Sequence, residues 1–126
     1  MFLFVYGSLK KGGSNHSLLE GCKLAGTGTI MANLYDLGID YPGAIEEGTR
    51  DKTFGELYEI HPGTLDELDE FEGFYEDAPE DSIFIRKEVD VTLKDRSIQK
   101  AQVYLLNPDK LSLFFYHPIR EGIWNS

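Results

Sequence analysis

A single cysteine, a single tryptophan and a shortage of basic residues mark this 126-residue chain, and each scarcity excludes a class of protein. Cys22 has no second thiol to pair with, so neither an internal disulfide nor a thiolate zinc site is available, and the chain is read as one suited to a reducing cytoplasm. Lys and Arg number 12 against 22 Asp and Glu, for a net charge of -10. That balance repels phosphate backbones and anionic lipid surfaces, so neither nucleic acid nor a membrane is expected as a partner. No apolar run approaches the roughly 20 residues of a membrane helix, and Phe2 to Val5 is too short for the core of an export signal. His16, His61 and His117 lack the spacing of metal ligands, so no metal is expected.

What is present is apolar and aromatic. Hydrophobic residues make up 41% and aromatics 13% of the chain, enough to bury a core and too many for a disordered or collagen-like protein. The length suits one domain, read as residues 1–126, with 111–126 as a C-terminal tail packed on it. The tail carries Phe114, Phe115, Tyr116, Ile119 and Trp124, too apolar to be left in water.

In chain order, Phe2 to Val5 reads as a buried strand that breaks at Gly7 into a small-residue loop. Ser14 to Gly21 suits one short helix, and Lys23 to Tyr35 a bent or bulged strand region. Asp36-Leu37-Gly38 and Tyr41-Pro42-Gly43 are turn signals, followed by Ala44-Ile45 and a polar connection through Asp51-Lys52. Phe54 to Ile60 partly alternates as a strand. The spacing Thr64-Leu65-Asp66-Glu67 predicts a capping box and a helix over Thr64 to Phe71, ended by Gly73. Asp77 to Ser82 is loop by composition. Ile83 to Leu93 and Ala101 to Leu106 form a hairpin turned by Lys94 to Ser97.

Two features point to chemistry. At Gly7, Ser8 and Leu9, glycine-permitted positive φ and close approach would let successive N–H groups converge on a carboxylate or oxyanion, although an ordinary strand exit fits the same residues. The second is Glu72. Leu65, Leu68 and Phe71 share one arc of the helix, and the neighbouring acids Asp66, Glu67, Asp69 and Glu70 point roughly 100° or more from its centre, whereas Glu72 lies about 40° away. Partial burial, the helix C-terminus, Asp69 and Glu76 should all raise its proton affinity towards the range useful for general acid–base catalysis. The alternative is a frayed helix end with Glu72 in solvent or capping a backbone N–H. Ser8 lacks the setting of an acyl nucleophile and is read as support for the loop.

Val5-Tyr6-Gly7-Ser8-Leu9 at the start, with Leu68-Asp69-Glu70-Phe71-Glu72-Gly73 about sixty residues later, resembles the gamma-glutamylcyclotransferase-like family, and most nearly its small gamma-glutamylamine cyclotransferase branch. Lys10 to Gly12, Asn15-His16, Leu34 to Gly38, Tyr41-Pro42-Gly43, Gly55 to Tyr58 and Val103-Tyr104 extend the likeness. The resemblance implies an α+β fold, a single compact mixed β-barrel with short flanking helices. It also implies a cofactor-free enzyme that releases an amine from a small gamma-glutamyl substrate with formation of 5-oxoproline. Glu72 corresponds to the catalytic acid, and Tyr6, Gly7, Ser8 and Leu9 to the substrate loop, with Tyr104 as a further substrate contact. Where family members often carry Tyr-x-Arg, this chain has Phe84-Ile85-Arg86 after the acidic insertion Asp77 to Ser82; Tyr75 and Tyr104 are the candidates to supply the missing phenol. The rival reading is a non-catalytic module that binds a gamma-glutamyl or other small acidic metabolite. A Glu72 exposed or paired with Arg86 would favour that module. No oligomeric state is read from the sequence.

Overall fold

The computed structural model describes residues 1–46, 48 and 51–125. The polar connection expected before Phe54 therefore falls partly outside the described residues, at Glu47, Thr49 and Arg50, as does Ser126 at the end of the tail. Among the described residues, eight strands and one α-helix follow each other as β1 (Phe2–Val5), β2 (Lys23–Met31), β3 (Asn33–Asp36), β4 (Pro42–Ile45), β5 (Lys52–Glu59), α1 (Pro62–Glu72), β6 (Phe84–Leu93), β7 (Ile98–Leu106) and β8 (His117–Ile119). Short 3-10 segments at His16–Leu19, Pro79–Asp81 and Pro108–Leu113 complete the connections.

Five strands close into a barrel in the order β1-β5-β2-β6-β7. All its pairs are antiparallel except the closing one, where β1 meets β7 in parallel with Leu3 opposite Gln102. The bulge expected in the first glycine-rich strand lies between Leu24 and Gly26. With its short helices and mixed barrel, the fold is the α+β architecture anticipated from the sequence.

The opening strand reads as an unbroken apolar run because both its faces are buried. Leu3 and Val5 join a cluster with Leu65 and Leu68 of α1, between helix and barrel. Phe4 joins Leu57, Ile30, Val91 and Val103, contributed by the other barrel strands with no helical residue, which fill the barrel interior. Beyond the barrel, β3, β4 and β8 make a separate sheet in the order β4-β3-β8. The C-terminal segment thus supplies a strand, with Ile119 opposite Leu34.

Two details of α1 differ from expectation. The helix starts at Pro62, and its N-cap His61 makes no side-chain capping bond. The proline's fixed φ suits the first helical position, so the helix begins two residues early and places Thr64 inside the first turn, where the capping box does not form. Phe71 is 46% exposed while Leu65 and Leu68 are buried; the last turn of α1 runs past the edge of the core. No helix among the described residues is long and apolar enough to cross a membrane.

Tyr6 ties the barrel to the second sheet. Its hydroxyl donates to the Tyr104 carbonyl on β7 at 2.6 Å and accepts from the Ala44 N–H on β4 at 3.2 Å. Tyr6→Phe leaves two buried backbone groups unpaired and is expected to lower stability by about 1–3 kcal/mol in urea unfolding; no loss would mean that this junction tolerates being unbonded.

Candidate active site

A cavity of about 330 Å³ opens at the end of β1. One wall is the loop Gly7-Ser8-Leu9, another the end of α1 at Phe71, Glu72 and Gly73, and the rest comes from Phe4, Val5, Tyr6, Tyr41, Pro42, Ile83, Phe84 and Tyr104. The structure therefore brings together all six residues singled out in the sequence: Tyr6, Gly7, Ser8, Leu9, Glu72 and Tyr104.

The loop is held from beneath. Asn15 donates from its side chain to Ser8 Oγ at 3.0 Å and from its backbone to the Ser8 carbonyl at 3.0 Å. His16 Nδ1 lies 2.9 Å from the Leu9 carbonyl, and the Lys10 N–H closes a turn on the Gly7 carbonyl at 3.0 Å. These bonds use the loop's carbonyls and the Ser8 hydroxyl, whereas the N–H groups of Gly7, Ser8 and Leu9 donate to no group among the described residues. They are the donors left for a ligand. Of the two glycine properties expected at position 7, one is used. Gly7 is absent from the positive-φ glycines, but a Cβ there would meet the Pro42 ring at 2.7 Å; it is close approach of β4 that demands glycine.

Glu72 sits at the C-terminal end of α1, where Gly73 takes the left-handed conformation (φ 69°) and the Phe74 N–H returns to the Asp69 carbonyl at 2.9 Å. This closure stops the helix with Glu72 still in helical phase, half-buried in the cavity wall. No donor among the described residues reaches its carboxylate. Burial pushes its pKa up from 4.5 to about 7. The direction agrees with the sequence reading and the cause is narrower, because desolvation is the sole cause. Asp69 does not act on it as expected: that carboxylate is engaged by Arg86 through Nε at 2.8 Å and Nη2 at 3.2 Å, and by the Tyr104 hydroxyl at 2.6 Å. Arg86 also donates to Gln102 and lies over the Phe74 ring, 5.5 Å from its centroid. Arg86 is thus paired with Asp69 and not with Glu72.

Three phenols surround the acid. Burial, and secondarily the Glu72 charge, raise the pKa of Tyr6 and Tyr41. Tyr104 is raised by burial first, then by its hydrogen bond to Asp69, with the Asp69 and Glu72 charges adding to it. All three remain neutral phenols at physiological pH. The hydroxyls of Tyr6 and Tyr104 are spent inside the protein, while Tyr75 is 58% exposed and outside the cavity wall. Tyr41, Pro42 and Phe84 were given no place among the expected site residues: the first two read as a turn and a part of the family likeness, Phe84 as the replacement for a tyrosine, and nothing local in the sequence shows that the second sheet folds over the loop. Among the described residues no three His, Cys, Asp or Glu side chains are grouped to hold a metal ion.

The buried acid couples stability to pH. The unfolded chain releases the Glu72 proton near 4.5 and the folded chain holds it to about 7, so the native state binds more protons in that window and stability falls as pH rises through it. Glu72→Gln removes this dependence. Its stability relative to wild type is expected to climb by up to about 3 kcal/mol between pH 4 and pH 8. Parallel urea curves for the two proteins at both pH values would show that the carboxylate is not desolvated.

The family model described as "Gamma-glutamyl cyclotransferase, AIG2-like" matches residues 3–126. Among curated proteins, the gamma-L-glutamyl-butirosin B gamma-glutamyl cyclotransferase of Niallia circulans is 36% identical over 90 residues, spanning 71% of this chain and 56% of that protein. The crystal structure of YkqA from Bacillus subtilis superposes with a TM-score of 0.74 at 26% identity, over 98% of this chain and 39% of that one. An AIG2-like protein from mouse shares the fold, with a TM-score of 0.69 at 24% identity, over 92% of this chain and 84% of its own. The chain thus spans little more than half of the first relative and less than half of YkqA, while the family model runs nearly its full length. On that match, the chain belongs to the gamma-glutamyl cyclotransferase, AIG2-like family.

Proposed function

We propose that this protein is a gamma-glutamyl cyclotransferase that releases an amine from a gamma-glutamyl compound and forms 5-oxoproline. The observation that carries the reading is a carboxyl group with a pKa of about 7, unpaired among the described residues, in one cavity with three unpaired loop amides. Membership of the family supports it. So does the commitment of Arg86 to Asp69, which leaves Glu72 free to exchange a proton.

The nucleophile and electrophile both belong to the substrate. The α-amine of the glutamyl group attacks its own γ-carbonyl carbon, a C–N bond forms, and the carbonyl π electrons move to oxygen. Glu72 as carboxylate takes the proton that the amine loses. The oxyanion then re-forms the carbonyl, the bond to the leaving nitrogen breaks, and Glu72 returns the proton to that nitrogen. No water is consumed. The amides of Gly7, Ser8 and Leu9 hold the glutamyl portion in the ring-forming conformer and stabilise the negative charge developing on the γ-oxygen. Tyr6 and Tyr104 serve as scaffold, since their hydroxyl protons are directed to protein acceptors.

A panel of gamma-glutamyl amines, amino acids and peptides, assayed for 5-oxoproline release, tests the reading. Glu72→Gln preserves size and is expected to lower kcat by about a hundredfold or more, the range for a general acid–base group. In the wild type, kcat/KM should rise with pH and level off above about 7, the pKa of the free base. Binding of 5-oxoproline with no turnover of any panel member would replace the enzyme by a binding module.

A further inference from the structure

Resting on that reading, we infer that the cavity mouth is an apolar subsite, built for a leaving amine with a hydrophobic body and no carboxylate. Phe71 and Ile83 carry the inference. Both line the cavity, and both are large apolar side chains left 46% and 38% exposed. Phe71 extends the buried arc of Leu65 and Leu68 past the core. Ile83 follows the acidic insertion, which is anchored at several points. The Tyr75 N–H donates to Ser82 Oγ at 2.8 Å, Asn107 Nδ2 donates to the Ser82 carbonyl at 3.1 Å, and the Asn107 N–H donates to the Ile83 carbonyl itself at 2.8 Å. The two side chains therefore sit on held backbone at the edge of the reacting cavity.

Charge narrows the occupant. Among the described residues, Glu72 is the one Asp, Glu, Lys, Arg or His side chain that lines the cavity. Arg86, the cation closest along the chain to Ile83, is taken by Asp69. The substrate's own α-carboxylate can use the loop amides, but a second carboxylate on the leaving group would meet no cation among the described residues of the wall and would lie near the half-buried Glu72. The insertion adds exposed acids at Asp77, Glu80 and Asp81. Burying a benzyl-sized group against Phe71 and Ile83 instead removes apolar surface on both sides from water. The favoured class is thus gamma-glutamyl derivatives of apolar or aromatic amines, with gamma-glutamyl amino acids and peptides disfavoured.

The experiment compares gamma-glutamyl benzylamide, gamma-glutamyl methylamide and gamma-glutamylglycine in turnover and, with Glu72→Gln, in calorimetric binding. The benzylamide is expected to exceed gamma-glutamylglycine in kcat/KM by about tenfold or more, as burial of an aromatic side chain implies. Phe71→Ala should shrink the benzylamide-to-methylamide ratio by about fivefold, and Ile83→Ala should shrink it in the same direction if the first variant folds poorly. Equal or faster turnover of gamma-glutamylglycine, or ratios unmoved by both substitutions, would overturn the subsite. The binding arm separates the two readings. Tighter binding of the benzylamide that depends on Phe71, without turnover by wild type, would keep the subsite and sink the cyclotransferase reading; binding of neither compound, or equal binding of both, would sink the subsite.

Discussion

A carboxyl group can sit half-buried without a partner only where neighbouring charges have been taken up elsewhere, and here the neutralisation is done one turn earlier on the same helix. Asp69 precedes Glu72 by three residues, so the two lie close on the helix surface. Left free, Asp69 would drive the Glu72 proton affinity higher still and draw Arg86 towards whichever acid offered more. Instead, the guanidinium holds both oxygens of Asp69, and the Tyr104 phenol holds one of them. The pair is partly buried, its side chains 18% exposed, so it is screened less than a surface pair. The result is a cavity whose acid answers to burial alone.

That arrangement explains why the acid was legible in the sequence and its surroundings were not. Helical phase is a local property, and Leu65 and Leu68 fix it well enough to turn Glu72 inward. The Asp69–Arg86–Tyr104 network joins a helix to two barrel strands across 17 and 35 positions, and no periodicity reports such a distance. Phase also misplaced Phe71. It shares the arc of the two leucines, yet the core ends before the helix does, and where a core ends depends on tertiary packing.

The loop shows the same division. A glycine at the end of the first strand was expected to matter, and it does, but the reason is the Pro42 ring, 35 positions away. The second sheet that brings Pro42 there was mostly hidden. β4 is only four residues long and begins with proline, and β8 is a three-residue strand with proline at its centre, both poor strand signals. The aromatic tail was expected to be covered, and it is so only in part: Phe114, Ile119 and Trp124 are partly buried, whereas Phe115 is 91% and Tyr116 45% exposed, because the tail is held through its backbone as much as through its rings. The Gly122 carbonyl accepts from the Phe54 N–H at 2.8 Å, and the Trp124 carbonyl accepts from Lys10 Nζ at 2.7 Å. The second of these joins the tail to the residue that follows the loop.

The reaction proposed above is intramolecular and asks less of a protein than a bimolecular one, and the economy of this site would follow from that. With nucleophile and electrophile on one molecule, no activated serine or cysteine, and no elbow to strain it, is required. What limits the uncatalysed reaction is the small population of molecules folded towards the ring with the amine unprotonated. Rigid donors would raise the first factor, and their rigidity comes from bonds that Asn15, His16 and Lys10 make to the loop's carbonyls and the Ser8 hydroxyl. A base near neutrality supplies the second, and its poise comes from burial without a counter-ion. The two requirements meet at the end of β1 because that strand is buried on both faces: one face fixes α1, the other the barrel, and the loop between them has nowhere else to go.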